Sequence, residues 1–141
     1  LSALTIRSAT EPDIEAVLRL WEEAGAPPSA TDTREGLLGV LASDPGALIL
    51  AECAGAVVGS LIAAWDGWRG SFYRLAVLHE RRRQGIATAL LLEGELRLRA
   101  RGAVRLTAIV ASDDSTAISF WQASSYARQL DRTRFVRFAA D

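Results

Sequence analysis

Residues 71–102 read SFYRLAVLHERRRQGIATALLLEGELRLRARG, and their reading decides the fold. Residues 71–78 are apolar and β-prone, which predicts a strand. Residues 88–102 predict a helix, with Ala87, Leu91, Gly94 and Leu98 on one face. Between them RRQGIA, residues 82–87, is a short basic turn containing a glycine. A strand that enters a helix through such a turn leaves several backbone N–H groups without partners. Those groups and the helix dipole make an anion site. Arg82 and Arg83 add fixed positive charge suited to phosphate. The expectation is that this turn holds a pyrophosphate. Taken alone, the six residues also fit a solvated arginine-rich turn.

The surrounding sequence separates these readings. LAVLHERRRQGIATALL, residues 75–91, resembles the acetyl-CoA signature of the GNAT (GCN5-related) N-acetyltransferases. That signature is Q/R-x-x-G-x-G/A, and Arg82, Gly85 and Ala87 match it. Downstream, DSTAISFWQASSY (114–126) is similar to the family's N-x-x-A-x-x-x-Y-x-x-x-G-F segment. Upstream, VVGSLIAAWDGWRGSFY (57–73) resembles the small bacterial YpeA-like acetyltransferases.

Composition agrees with one domain spanning 1–141. That length can bury a sizeable core, and 50% apolar with 23% charged residues is ordinary for a globular chain. No apolar run approaches a membrane span, and no signal-peptide pattern opens the chain, so a cytoplasmic protein is expected. The single cysteine, Cys53, excludes an internal disulfide and reads as a small buried hydrophobe at a strand end. One histidine and one cysteine do not make a usual zinc site, so no metal is expected. All sixteen basic residues are arginine, yet the net charge is −1. That balance argues against a nucleic-acid partner.

Elsewhere the chain punctuates clearly. Residues 3–9 predict a short strand. Thr10 and Asp13 read as a capping box with Pro12 in the first turn, before Ile14, Val17, Leu18 and Trp21 on one helical face. A second helix is expected over about 33–42. ALILAEC and AVVGSLIAAW predict a hairpin through Ala54-Gly55, and Asp66-Gly67 marks the next turn. Glu93–Arg97 and Glu95–Arg99 are spaced to pair along the long helix. Residues 103–111 predict a strand, 114–123 a short helix, and YARQL with RFVRF a closing hairpin through Asp131-Arg132. The resulting order is β-α-α-β-β-β-α-β-α-β-β. This is an α/β (α+β) chain with a mixed, mostly antiparallel sheet of six to seven strands and four helices. The GNAT fold shows the same order.

The resemblance implies acetyl-CoA as co-substrate and an N-acetyltransferase acting on a primary amine of a small molecule or a peptide or protein N-terminus. It implies that the backbone of Leu75, Ala76 and Val77 pairs with the pantetheine arm. Arg82, Arg83, Gln84, Gly85, Ile86, Ala87 and Thr88 would wrap the pyrophosphate. Asp114 and Trp121 would lie in the same site. Trp65, Trp68 and Tyr73 are candidates for the acceptor groove, and a homodimer is compatible with the family. Two departures stand out. Trp121 occupies the position of the family's general-acid tyrosine, and an indole N–H is not a usable acid. Ile109 stands where some relatives carry a glutamate base. Three accounts stay open: transfer without a dedicated acid; substitution by His79, Tyr126 or Tyr73; or a CoA-sensing or scaffold module with little catalysis.

Overall fold

The apolar runs become a five-stranded sheet in a computed structural model that describes residues 3–139. The strands are β1 (Leu4–Ser8), β2 (Leu48–Cys53), β3 (Ala56–Trp65), β4 (Gly70–Val77) and β5 (Leu106–Ala108), in that spatial order. The pairs β1–β2, β2–β3 and β3–β4 are antiparallel, and β4–β5 is parallel. The helices are α1 (Ile14–Glu23), α2 (Arg34–Ser43), α3 (Ile86–Ala100) and α4 (Ser115–Ala123). The chain divides into two compact units, one ending at Ile109 and the other beginning at Val110.

The two faces of the sheet follow from the period of two along each strand. One face carries Leu48, Leu50, Ile62 and Ala76, which cluster with Ile14, Val17, Leu20 and Trp21 of α1 and Leu37 of α2. Each fully buried leucine or isoleucine contributes about 2 kcal/mol of transfer free energy. The other face receives α3. A Cβ at Gly94 would meet Leu61 Cδ2 and Phe72 Cε1, each at 2.9 Å, so glycine lets α3 lie close on the sheet. Cys53 is buried at the end of β2, as its sequence context predicts.

Several expectations need correction. The buried face of α1 uses Leu20, whereas Leu18 is only partly buried. Arg97 pairs with Asp44, in the loop before β2, rather than with Glu93, and Arg101 joins the same carboxylate at 3.1 Å. β5 has three residues, not the nine expected, because β4 offers it only Gly70, Ser71 and Phe72. Among the described residues no strand follows β5, so the closing hairpin and the six to seven strands are absent. Asp131-Arg132 lacks the glycine or asparagine that a tight primed turn favours. Leu130, Phe135, Val136 and Phe138 are exposed instead. No helix among the described residues is long and apolar enough to cross a membrane.

Candidate active site

β4 is irregular where it matters. Ile62 faces Tyr73 and Ser60 faces Ala76, so β4 carries one more residue than β3 over this span. The extra residue is a β-bulge at Arg74, whose φ is +54°. Phe72 faces α3, and strict alternation would put Ala76 there too. The bulge instead turns Ala76 into the core beneath α1. It also falls just past the last pair with β5, Phe72 with Ala108. From Tyr73 to Val77, β4 therefore has β3 on one side and, among the described residues, no strand of the sheet on the other. That is an edge to which an extended ligand can add.

The edge runs directly into the basic turn. A short 3-10 turn, His79–Arg81, follows β4, and α3 begins after Gly85. Arg83 has φ +65° and Gly85 φ +79°, so the chain reverses tightly before the helix. Gly85 is the N-cap residue of α3, but it has no side chain with which to cap. The first N–H groups of α3 therefore point out of the helix without an intrahelical acceptor. The first turn of α3 carries no acidic residue to offset its dipole. Gln84, Gly85 and Thr88 are exposed, Ala87 is half-buried, and Ile86 is buried as the anchor of the helix start.

The two arginines of the motif behave differently. Arg82, though exposed, folds back on the protein: Nη2 donates to the Ala24 carbonyl at 3.1 Å, and Nε to the Val77 carbonyl at 3.4 Å. Its Nη1 lies 3.3 Å from Nδ1 of His79. Arg82 thus ties the turn to the end of α1. Arg83 is exposed and forms no ion pair among the described residues, so its charge is available to an anion.

The aromatic candidates separate along β4. Trp65 and Trp68 sit at the β3–β4 hairpin, where Asp66 Oδ1 accepts from the N–H groups of Trp68 (2.8 Å) and Arg69 (2.6 Å). These bonds hold the Asp66 carboxyl below the usual carboxylate range, so Asp66 shapes the turn. Trp68 is 69% exposed, with Arg69 stacked 3.9 Å from its ring centre. Gly70 lies four residues before the bulge, roughly 13 Å along an extended strand. Tyr73 is 48% exposed and immediately precedes the bulge. It is the aromatic closest in sequence to the free edge.

In the second unit, Asp114 is the N-cap of α4, and its carboxylate accepts from the Ala117 N–H at 3.0 Å. The Trp121 ring is buried and meets Phe120 and Tyr126 edge-on, at centroid distances of 5.6 and 4.9 Å. Ser125 follows α4 with φ +72°, the conformation that explains a glycine at the matching position of the resembled segment.

Sequence reasoning missed Ser60, Asp32 and the role of Arg74. Ser60 was detectable as the one hydroxyl inside the apolar run VVGSLIAAW, and it is fully buried. The Arg74–Asp32 pair joins residues 42 apart and left no local signal.

A free strand edge leading into an uncapped helix start is a geometry to which an extended, phosphate-bearing ligand can add. The model of the Acetyltransferase (GNAT) family matches residues 10–126, and the chain belongs to that family. An acetyltransferase of Sodalis glossinidius is 35% identical over 126 residues, covering 89% of each chain. Among solved structures, Ard1 from Thermoplasma volcanium superposes with a TM-score of 0.80 at 24% identity, covering 89% of this chain and 83% of that one. The PaiA N-acetyltransferase from Thermoplasma acidophilum, solved with coenzyme A, gives 0.75 at 18% identity, covering 86% and 88%.

Proposed function

We propose that this acetyltransferase takes the acetyl group from acetyl-CoA and passes it directly to a primary amine of a small molecule or of a peptide N-terminus. The observation that carries the reading is the continuity of the free β4 edge, Tyr73–Val77, with the uncapped start of α3. The backbone of Leu75, Ala76 and Val77 would pair with the amides of the pantetheine arm. The turn from Arg83 to Thr88 would hold the pyrophosphate through backbone N–H groups, the helix dipole and the Arg83 side chain. Arg82 would act by bracing that turn. The family match runs through both compact units, which supports one acetyltransferase domain.

In the reaction the amine lone pair attacks the thioester carbonyl carbon. The C–N bond forms, the C–S bond breaks, the thiolate leaves, and the proton shed by the nitrogen passes through water to the sulfur. A thiolate whose conjugate acid has a pKa of about 8.5 is a competent leaving group, and water can protonate it. Trp121 therefore need not act as an acid. Tyr73, beside the bulge, is the candidate wall for the incoming amine. The alternative, a module that binds acetyl-CoA with little turnover, draws on Trp121 and Ile109.

Titration calorimetry with acetyl-CoA, followed by a free-thiol assay against a panel of amines and peptide N-termini, tests this reading. Micromolar binding with acceptor-dependent thiol release is expected. Binding without release on any acceptor favours the sensing module, and no binding removes the donor assignment.

A further inference from the structure

The Arg74 bulge is held by a buried chain of hydrogen bonds that reaches across to α1. A long side chain at φ +54° is strained and persists only where its surroundings enforce it. Here they do so from both ends of the residue. The Trp21 indole Nε1–H donates to Ser60 Oγ at 2.8 Å, and Ser60 Oγ–H donates to the Arg74 carbonyl at 2.8 Å. An indole nitrogen only donates, so it fixes the hydroxyl as acceptor on one side and directs its proton to Arg74. Ser60 is fully buried and Trp21 is 4% exposed, so the hydroxyl and the indole lie away from bulk solvent. At the other end, the Arg74 guanidinium bonds Asp32 and the Pro27 carbonyl in the α1–α2 loop and sits 5.2 Å from the Trp21 ring centre.

We infer that Trp21 and Ser60 are positioning residues for acetyl-CoA. They act through the Arg74 carbonyl to hold the bulge and so aim the backbone of Leu75–Val77 at the donor. This rests on the donor site proposed above. Removing the Ser60 hydroxyl leaves two buried polar groups, the indole N–H and the bulged carbonyl, without their partner. The bulge then loses what selects its left-handed conformation, while the packing around it changes by a single atom.

The test uses Ser60→Ala, Trp21→Phe, the double variant and Ser60→Thr, with thermal unfolding as the check on folding. Ser60→Ala is expected to weaken acetyl-CoA binding about tenfold. It should raise the KM for acetyl-CoA without moving the acceptor KM. It should also speed amide exchange at Leu75, Ala76 and Val77 while leaving β2 unchanged. The double variant should be no weaker than the weaker single one, because both break one chain. Ser60→Thr, which keeps the hydroxyl, should recover most of the binding. Asp32→Asn, outside the core, provides a second route to the same bulge and should weaken binding about threefold. Wild-type affinity in Ser60→Ala, or faster exchange spread equally over β2 and β4, overturns the positioning role while wild-type binding stands. Failure of the wild type itself to bind acetyl-CoA removes the donor site and this role together.

Discussion

Two helices of the first unit begin in opposite ways. α2 starts at Thr33, whose backbone is extended and whose Oγ1 accepts from the Gly36 N–H at 3.0 Å. Glu35 in its first turn offsets the dipole. α3 starts at Gly85, in the left-handed region, with no capping side chain and no acidic residue in its first turn. Arg81, Arg82 and Arg83 precede it instead. Thr33 closes a helix end, whereas Gly85 leaves one open. On the proposed reading, the difference marks where the chain gives up local stability to hold the donor. An uncapped start costs on the order of 1 kcal/mol, and a bound phosphate can supply the missing acceptors.

The most damaging change to this contrast is Gly85→Asp. It places a carboxylate where the pyrophosphate would sit and forces a β-carbon into φ +79°. Acetyl-CoA affinity should fall by about 100-fold or more, about 2.7 kcal/mol, with circular dichroism unchanged. Full affinity in that variant would erase the distinction between α3 and α2. Gly94→Ala acts on the body of α3 instead. The added methyl meets Leu61 and Phe72, and the unfolding free energy should drop by about 1–3 kcal/mol despite the better helix propensity. A gain in stability would show that α3 can lift from the sheet without cost.

Thr33→Ala sharpens the comparison from the other side. It should lower stability by ~1 kcal/mol in urea unfolding and leave acetyl-CoA affinity untouched, since this helix start serves only the fold. The third start, that of α1, gives the smallest effect and a pH dependence. Asp13 accepts from Arg7 at 2.8 Å and from the Thr10 N–H at 2.8 Å. The Arg7 hydrogen bond is the main reason that its carboxyl lies far below the usual range. Its contribution is complete above the ordinary aspartate pKa of about 3.9 and is lost as pH falls toward the lowered folded value. Asp13→Asn should therefore reduce stability by ~0.5 kcal/mol at neutral pH and flatten its decline below about pH 4. Parallel acid profiles for the two proteins would contradict the assignment.

Much of this arrangement was legible because its signals are local. The motif turn, the capping box at Thr10 and Asp13 and the close-packing Gly94 each announce themselves within a few residues. What escaped is non-local. The bulge at Arg74 is contacted by a hydroxyl on β3 and a carboxylate in the α1–α2 loop, with an indole on α1 behind the hydroxyl, and none of these is near it in sequence. The bulge falls just past the last β4–β5 pair, and the nine-residue strand expected over 103–111 pairs over only three residues. RFVRF did not form a strand because β-propensity alone does not make one: it needs a partner, and Asp131-Arg132 lacks the residues of the tight turn that would bring YARQL beside it.

The central claim, that the open start of α3 holds the pyrophosphate, is tested most directly by a calorimetric cycle. Acetyl-CoA and S-acetylpantetheine, which lacks the pyrophosphate and nucleotide, would each be titrated into the wild type and Gly85→Asp. The account predicts a preference for acetyl-CoA of about 100-fold or more in the wild type that largely collapses in the variant. The same ratio in both proteins would place the pyrophosphate elsewhere and contradict it.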